Sequence, residues 1–236
     1  MATESLELRG RRQQLLSTRL TQRIYDRTAP FYSLSPLLFH TRAHRLALQL
    51  AGPLEGRTVL EVSVGSGELF RELVNRNHTG MTVGVDLSPG MVSVVSKKLN
   101  GNGTHNGTHN GNGHAPGRFL LQAVDARQMP FPDGLFDSLF NCYLLELLPP
   151  GDIERAIGEF HRVMRPGGQL LLVNISDSSP AFNSLYSFLG YALPSFWGRQ
   201  VAAQLPRLLE QGGFRIRHRA VVSQTFYPSL VTVAER

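Results

Sequence analysis

Acidic residues and glycines follow a buried apolar run in a spacing that suits a nucleoside-like ligand. The run Thr58–Val62 reads TVLEV, and Gly65 and Gly67 lie in the turn directly after it. Glycines between a strand and a helix let backbone amides approach a ligand closely. A dinucleotide fingerprint continues with a third glycine, but Phe70 stands at that position here. The turn therefore predicts ligand binding of a kind other than a dinucleotide site.

Two further acidic residues close later predicted strands. Asp86 lies 19 residues beyond Gly67, where a carboxylate can accept hydrogen bonds from both hydroxyls of a ribose. The alternative for Asp86 is a helix cap, because Pro89 begins a predicted helix shortly after it. Asp125 ends the next strand and can accept a hydrogen bond from an exocyclic adenine amine. Ligands of open α/β sheets bind at this edge, so the acidic groups predict one shared site.

Hydrophobic periodicity places these residues in an alternation of strands and helices. Short apolar runs predict strands, and amphipathic segments predict helices. The predicted strands are 58–62, 81–85, 118–124, 136–141, 170–173, 214–222 and 226–234, and the predicted helices include 4–28, 36–51, 67–77, 152–164 and 199–211. This order is typical of a doubly wound, mostly parallel sheet, in which the closing pair adds one antiparallel strand.

Composition narrows the class of protein. The 236 residues are 42 % apolar and 18 % charged, which is ordinary for a globular domain. Cys142 is the only cysteine, so the chain has no intramolecular disulfide, as expected in a reducing compartment. The N-terminus lacks the apolar core of a signal peptide, and no apolar run reaches the length of a membrane span. We therefore expect a cytoplasmic protein.

The formal net charge of +6 raises the question of an acidic partner. Basic residues gather near both ends of the chain rather than in one run, and an ordinary solvated surface is the simplest interpretation. Peripheral contact with anionic lipid headgroups is the functional alternative. Nucleic-acid binding is disfavoured because no recognised motif accompanies the charge. The sequence leaves the oligomeric state open.

One segment does not fit the alternation of strands and helices. Residues 100–117 read NGNGTHNGTHNGNGHAPG, a low-complexity run that cannot bury apolar area and therefore predicts a flexible loop. The run contains His105, His109 and His114. An unstructured loop cannot hold ligands in fixed geometry without a large ordering cost, so we expect no metal site.

The ordered motifs resemble those of the class I S-adenosylmethionine-dependent methyltransferases, and among them the ubiquinone and menaquinone biosynthesis group. The matching stretches are YDRTAPFY at 25–32, VLEVSVGSG at 59–67, VGVDLSPGMV at 83–92, DARQMPFPDGLFD at 125–137 and RVMRPGGQLLLVN at 162–174. The resemblance implies a Rossmann-like α/β fold, with a seven-stranded sheet, N-terminal helices and a small helical cap.

The resemblance also implies how the chain is divided. Residues 1–52 are expected to form an N-terminal helical segment that is part of the substrate cap. Residues 53–236 are expected to form the domain that binds S-adenosylmethionine. Within that domain lie the flexible loop at 100–117 and a cap insertion at 178–200.

Cofactor-binding roles follow from the resemblance, position by position. Gly65 and Gly67 are expected to admit the methionine part of S-adenosylmethionine, with Glu61 organising the loop. Asp86 is expected to bind the ribose, and Leu87 to pack on the adenine. The remaining expected contacts are Ser63 in the loop, Asp125 and Ala126 at the adenine edge, and Asn141 near the methyl group.

Ser63 departs from the family pattern, which usually has glycine at this position. A side chain there is expected either to narrow the loop or to add a hydroxyl contact to the amino-acid end of the cofactor. The departure therefore bears on cofactor affinity. The expected product of the cofactor is S-adenosylhomocysteine, and the resemblance implies no metal.

The resemblance places the methyl acceptor between the N-terminal helices and the loop after the fourth strand. Six aromatic residues lie within 182–197, and they favour a small aromatic, apolar or lipid-like acceptor. The catalytic candidates are Tyr25, Tyr32, Asn141 and Tyr143, and Glu146 is a further candidate for a base.

Three interpretations of function remain open at this point. The first is a methyltransferase for a small aromatic, apolar or lipid-like molecule, and the second is an N-methyltransferase of ethanolamine phospholipid headgroups. The third is a protein that binds the cofactor without catalysis or acts in assembly. A base-modifying role is disfavoured, because Asn141 is followed by Cys-Tyr-Leu and not by the Pro-Pro-Tyr of amino-methylating nucleic-acid enzymes.

Overall fold

A computed structural model describes residues 41–100, 118–176, 201–224 and 227–236. The predicted helix 4–28, the Asn/Gly-rich run and the cap insertion lie outside the described residues. The same holds for Tyr25, Tyr32 and the aromatic residues of 182–197.

Five α-helices, one short 3₁₀ turn and seven strands make up the described part of the chain. The helices are α1 (Thr41–Ala51), α2 (Glu68–Asn75), α3 (Pro89–Asn100), α4 (Pro150–Val163) and α5 (Leu205–Gln211). The strands are β1 (Thr58–Val62), β2 (Met81–Asp86), β3 (Arg118–Ala123), β4 (Phe136–Cys142), β5 (Met164–Ile175), β6 (Arg215–Val222) and β7 (Ser229–Glu235). The 3₁₀ turn spans Leu145–Leu147. None of the described helices combines the length and the apolar character that crossing a bilayer requires.

All seven strands form one sheet in the order β3-β2-β1-β4-β5-β7-β6. The pairs from β3 to β5 are parallel, and β7 runs antiparallel to both β5 and β6. The predicted doubly wound, mostly parallel sheet with one antiparallel strand is therefore confirmed. Because β1 and β4 are neighbours, the order reverses beside β1, and the crevice at such a reversal is where open α/β sheets bind ligands.

Side chains of β1 alternate between two apolar layers. Leu60 and Val62 pack on the face that α4 and α5 cover, whereas Val59 packs on the face that α1 and α2 cover. Strands buried on both faces carry continuous apolar runs, which explains the pattern that identified them in the sequence. Polar side chains collect where the strands end, at their carboxyl edge.

The two largest differences from the predicted boundaries are at the starts of α5 and β5. The helix predicted at 199–211 begins at Leu205, because residues 202–204 form a turn and Pro206 favours the first turn of a helix. The strand predicted at 170–173 extends over Met164–Ile175, since Met164 pairs with Phe136 before the register shifts. Neither change moves the residues of the candidate site.

The absence of a side chain at Gly84 in β2 lets the turn after β1 lie close against the sheet. A β-carbon at this position would lie 2.6 Å from Phe70, 2.7 Å from Leu121 and 2.8 Å from Val64. Each of these distances is too short for a carbon contact, and the three neighbours are buried or half-buried. The packing of the turn on β2 therefore depends on this glycine.

We predict that Gly84→Ala lowers the free energy of unfolding by about 1–3 kcal/mol, the usual cost of overpacking a core. Gly158→Ala is the matched control, because Gly158 is exposed on α4 and a β-carbon there meets nothing within 4 Å. Alanine in a helix interior should raise the stability by about 0.5–1 kcal/mol. Urea denaturation of both variants measures the two changes in the free energy of unfolding, which should have opposite signs. Equal changes would contradict the close packing at Gly84.

Candidate cofactor and acceptor site

The turn after β1 is built from residues in the left-handed backbone region. Ser63, Gly65 and Gly67 have φ values of 67°, 49° and 84°. The Ser63 amide donates to the carbonyl of Val85 at 2.7 Å, so the turn is fixed over the end of β2. The turn requires positive φ values, and glycine adopts them without steric cost, which explains why two of these residues are glycines.

The two glycines of the turn have different surroundings. A β-carbon on Gly67 would lie 2.7 Å from the side chain of Val95 on α3, so this glycine is needed for helix packing. A β-carbon on Gly65 would meet no atom of the described residues within 4 Å. Lys98 of α3 donates to the carbonyl of Ser66 at 2.9 Å and anchors the turn from the other side. Gly65 is therefore the glycine that borders open space.

Ser63 and Tyr143 are the non-glycine residues with positive φ in the part of the chain that the structure describes. Each directly follows its strand, and β1 and β4 are paired neighbours. A left-handed conformation costs a non-glycine residue of the order of 1–3 kcal/mol, and such residues concentrate at functional sites. At Ser63 the departure from glycine thus has a conformational cost that the sequence alone did not reveal.

Asp86 connects the turn after β1 to the turn after β2. Its Oδ2 accepts a hydrogen bond from the amide of Gly65 at 3.0 Å, and its Oδ1 accepts one from the amide of Ser88 at 2.9 Å. The Ser88 hydroxyl oxygen accepts a bond from the amide of Met91 at 3.1 Å. The side-chain cap of α3 is therefore Ser88 and not Asp86, whose carboxylate instead joins the two turns.

Glu61 is a buried carboxyl group beside this turn. Burial raises the pKa of Glu61 well above its usual range, and the nearby Glu68 and Asp86 raise it further. Its Oε2 is inaccessible to solvent and has no hydrogen-bond partner among the described residues. Buried polar atoms are normally paired. The Oε2 of Glu61 could therefore accept a hydrogen bond from a ligand donor.

Asp125 is held by an ion-pair network. Arg127 donates to Asp125 through its Nε at 2.8 Å and its Nη2 at 2.5 Å, and through Nη1 to Asp152 on α4 at 2.5 Å. Burial opposes ionisation of Asp125, but the hydrogen bonds from Arg127 outweigh it and lower its pKa. Ala126 is buried and Leu87 is half-buried, so both present apolar surface at this end of the sheet.

Asn141, expected near the methyl group, joins the ends of two strands. Its Nδ2 donates to the carbonyl of Val62 at 2.9 Å, and the residue is fully buried. Its Oδ1 has no hydrogen-bond partner within the described ranges. The amide nitrogen is thus used to hold β1 against β4, and a catalytic role for Asn141 stays a prediction.

Tyr143 lies in a polar and aromatic cluster beyond the end of β4. Its hydroxyl shares a hydrogen bond with Ser229 at 2.9 Å and accepts one from Gln224 at 3.2 Å. The ring lies 6.4 Å from the ring of His44 and 6.1 Å from that of Tyr227. Burial raises the pKa of Tyr143, so the hydroxyl stays protonated at neutral pH and is unsuited to act as a base.

Glu146 has the chemical properties of a base. Its Oε1 accepts hydrogen bonds from the Nδ2 of Asn174 at 3.0 Å and from the amide of Ile175 at 2.8 Å. Its Oε2 is buried and has no partner among the residues that the structure describes. Burial, only partly offset by these hydrogen bonds, raises the pKa of Glu146 to about 7. Sequence reasoning named this residue but gave no sign of its burial.

Comparison with known proteins bears on the identity of this site. A family described as a methyltransferase domain matches residues 60–172. The demethylmenaquinone methyltransferase of Thermus thermophilus is 30 % identical over 154 residues, which cover 64 % of this chain and 63 % of the relative. The ubiquinone/menaquinone biosynthesis C-methyltransferase UbiE of Hydrogenovibrio crunogenus is 26 % identical over 76 % of this chain and 68 % of the relative.

The comparisons support the predicted resemblance to the class I S-adenosylmethionine-dependent methyltransferases, and the family match covers residues 60–172. Among solved structures, the [4+2]-cyclase SpnF superposes with a TM-score of 0.71 and covers 93 % of this chain and 96 % of its own. Its sequence identity is 17 %, so this likeness concerns the fold alone. Within the described residues, no group of three or more His, Cys, Asp or Glu side chains is placed to hold a metal ion.

We predict that Asp86→Ala destabilises the protein even without a ligand. The amides of Gly65 and Ser88 would lose their carboxylate acceptors, at a cost of about 1–3 kcal/mol in the free energy of unfolding. Glu154→Ala, which removes an exposed acid on α4, should change stability by less than about 0.5 kcal/mol. Urea denaturation measures both, and an unchanged midpoint for Asp86→Ala would show that these bonds are not needed.

Proposed function

We propose that this protein binds S-adenosylmethionine at the carboxyl edge of β1, β2 and β3 and transfers its methyl group to a small aromatic or apolar acceptor. The proposed cofactor site rests on a group of polar residues around Gly65, which we call the cradle and which consists of Glu61, Gly65 and Asp86. Among the described residues, Gly65 has space beside it, its amide donates to Asp86, and the Oε2 of Glu61 on the preceding strand has no partner. An ammonium group, a carboxylate and a ribose can each find a complementary partner in this cradle.

The residues present fit the cofactor group by group. The Glu61 carboxyl would accept a hydrogen bond from its amino group, and Gly65 gives the backbone access to its amino-acid end. Asp86 would accept from the ribose and Asp125 from the adenine amine. S-adenosylmethionine supplies an activated methyl group when bound. The protein's own contribution is to align the acceptor and to exclude water.

We predict that Gly65→Ala weakens binding of S-adenosylhomocysteine, measured by isothermal titration calorimetry. The new methyl group would occupy the cradle, and an overpacking cost of about 1–3 kcal/mol corresponds to a roughly 5- to 150-fold loss of affinity. Gly52→Ala is the matched control, because Gly52 also has positive φ and open space, but ends α1 away from the turn. Equal affinities of the two variants would show that the cradle is not part of the binding site.

The identity of the methyl acceptor is proposed from the names of the two relatives and from the polar groups beside β4 and β5. The two relatives are named for methylation of demethylmenaquinone and for ubiquinone or menaquinone biosynthesis. A reduced quinone ring releases a proton when it gains a methyl group. Glu146 would take that proton at Oε2, and the Tyr143, His44 and Tyr227 rings provide an aromatic surface nearby. We therefore propose a quinol-type ring as the acceptor.

Turnover with a labelled donor tests this proposal directly. The full chain is incubated with methyl-labelled S-adenosylmethionine and short-chain demethylmenaquinol, and extracted products are identified by mass spectrometry. A parallel reaction contains vesicles of phosphatidylethanolamine. A labelled quinol supports the proposal, whereas a labelled phospholipid would replace it with headgroup methylation. Binding of S-adenosylhomocysteine without any labelled product would favour a protein that holds the cofactor without catalysis.

We predict that Glu146→Gln lowers kcat by about 10²- to 10⁴-fold, the usual contribution of a general base, while cofactor affinity stays unchanged. In the wild type, kcat should rise with pH through about 7, because only the ionised carboxylate can accept the proton. Glu210→Gln removes an exposed carboxylate on α5 and serves as the control. A wild-type profile that is flat between pH 5.5 and roughly 8.5 would exclude Glu146 as the base.

A further inference from the structure

The guanidinium of Arg127 lies in the middle of a partly buried network between the predicted adenine edge and α4. Its Nε and Nη2 form a two-point contact with Asp125, and its own backbone amide also donates to Asp125 Oδ1 at 3.0 Å. Its Nη1 donates to Asp152, whose side chain is 1 % exposed. Arg155 completes the network with a bond to Asp152 at 3.2 Å.

The network limits what Asp125 can still bind. An ionised carboxylate has about four lone-pair positions and no hydrogen to donate. Oδ1 of Asp125 accepts two bonds from Arg127, from the backbone amide and from Nε, and Oδ2 accepts one from Nη2. One acceptor position on Oδ2 is therefore left for a ligand.

Asp152 keeps Arg127 from turning away. The Arg127 side chain is 16 % exposed and is bonded to both Asp125 and Asp152. If it turned into solvent, the nearly inaccessible Asp152 would keep Arg155 as its remaining partner. Breaking a buried charge pair is costly, so the orientation of Asp125 is determined by α4 through Arg127. A bidentate guanidinium contact also fixes the plane of the carboxylate.

We propose that Arg127 is a positioning residue that orients Asp125 so that its single free acceptor position selects a 6-amino purine over a 6-oxo purine. The inference rests on the proposed binding of S-adenosylmethionine. The exocyclic amine of adenine donates a hydrogen bond to this position. Hypoxanthine has an oxygen at the same place. Because this oxygen and the carboxylate are both acceptors, they cannot form a hydrogen bond with each other.

The chemistry of the network supports this selectivity. The hydrogen bonds from Arg127 lower the pKa of Asp125 against the opposing effect of burial, so the group remains an acceptor across the neutral range. A protonated carboxyl could turn and donate to a 6-oxo group, and Arg127 prevents that state. Lysine cannot replace the guanidinium, because an ammonium group lacks the planar two-point geometry.

Calorimetric titration with S-adenosylhomocysteine and with S-inosylhomocysteine, its 6-oxo analogue, tests the proposal on the full chain. The wild type should prefer the amine-bearing ligand by roughly 10- to 100-fold, the scale of one hydrogen bond to a charged group. Arg127→Lys should lose most of that preference through weaker binding of S-adenosylhomocysteine, with binding of the 6-oxo analogue little changed. A change that is merely structural would weaken both ligands equally and leave the preference intact.

Arg162→Lys is the matched control. Arg162 forms the same two-point contact with Glu159, at 2.7 and 2.8 Å, but at the other end of α4. This variant should keep the wild-type preference, and thermal melts of both variants show whether each one folds. If Arg127→Lys does not fold, Asp152→Asn carries the same test, because it removes the charge that holds Arg127 at its other end and leaves Asp125 unchanged.

The outcomes separate this proposal from the one on which it rests. If the wild type binds neither ligand, the proposed function itself is overturned, and the role of Arg127 falls with it. If the wild type binds S-adenosylhomocysteine but shows no preference over the 6-oxo analogue, or if folded Arg127→Lys keeps the full preference, only the positioning role is overturned.

Discussion

The carboxylate of Asp86 accepts one hydrogen bond from the turn that follows β1 and another from the turn that follows β2. Parallel strands end with backbone groups that the sheet no longer pairs, and turns at this edge need other partners for their amides. A single side chain supplies two of them here. The spacing between the Gly65 cradle and the start of α3 is consequently fixed before any ligand arrives, and the rest of the candidate site is arranged around it.

The acidic groups at this edge divide into two kinds by their partners. Asp125 has Arg127 beside it, and its pKa is lowered. Glu61 and Glu146 lack a cationic partner among the described residues, and burial raises the pKa of each. Environments that separate the pKa values of neighbouring acids are the usual way in which one site combines recognition with proton transfer. Recognition would then fall to Asp125, and proton transfer to Glu146.

Much of the framework could be predicted from the sequence, because it depends on local pattern. The apolar runs of β1, β2 and β4 identified buried strands, and the residues that close them identified the functional edge. These features follow from periodicity and from the rule that ligands bind where parallel strands end. The start of α5 was missed by several residues because the effect of Pro206 on a helix start is weaker than the apolar pattern around it.

Two of the unpredicted features depend on contacts between residues distant in the chain. The link between Arg127 and Asp152 spans 25 positions, and the bond from Asn174 to Glu146 spans 28. No periodic signal marks such pairs. The positive φ of Ser63 was hidden for a different reason, since backbone conformation at a single serine leaves no trace in the amino-acid pattern.

The strand β6 lies at the edge of the sheet, and its arginines can oppose aggregation at that edge. This strand is the last of the sheet in the described part of the chain, and a bare outer strand is a template on which another copy can add by backbone pairing. Arg215, Arg217 and Arg219 are exposed along it, and Val221 is 62 % exposed near its end. Arg217 is paired with Glu235 of β7, but two such strands brought together would still place the guanidinium groups of Arg215 and Arg219 close to each other. Charge repulsion would therefore oppose edge-to-edge aggregation on the side of the sheet that carries an exposed valine.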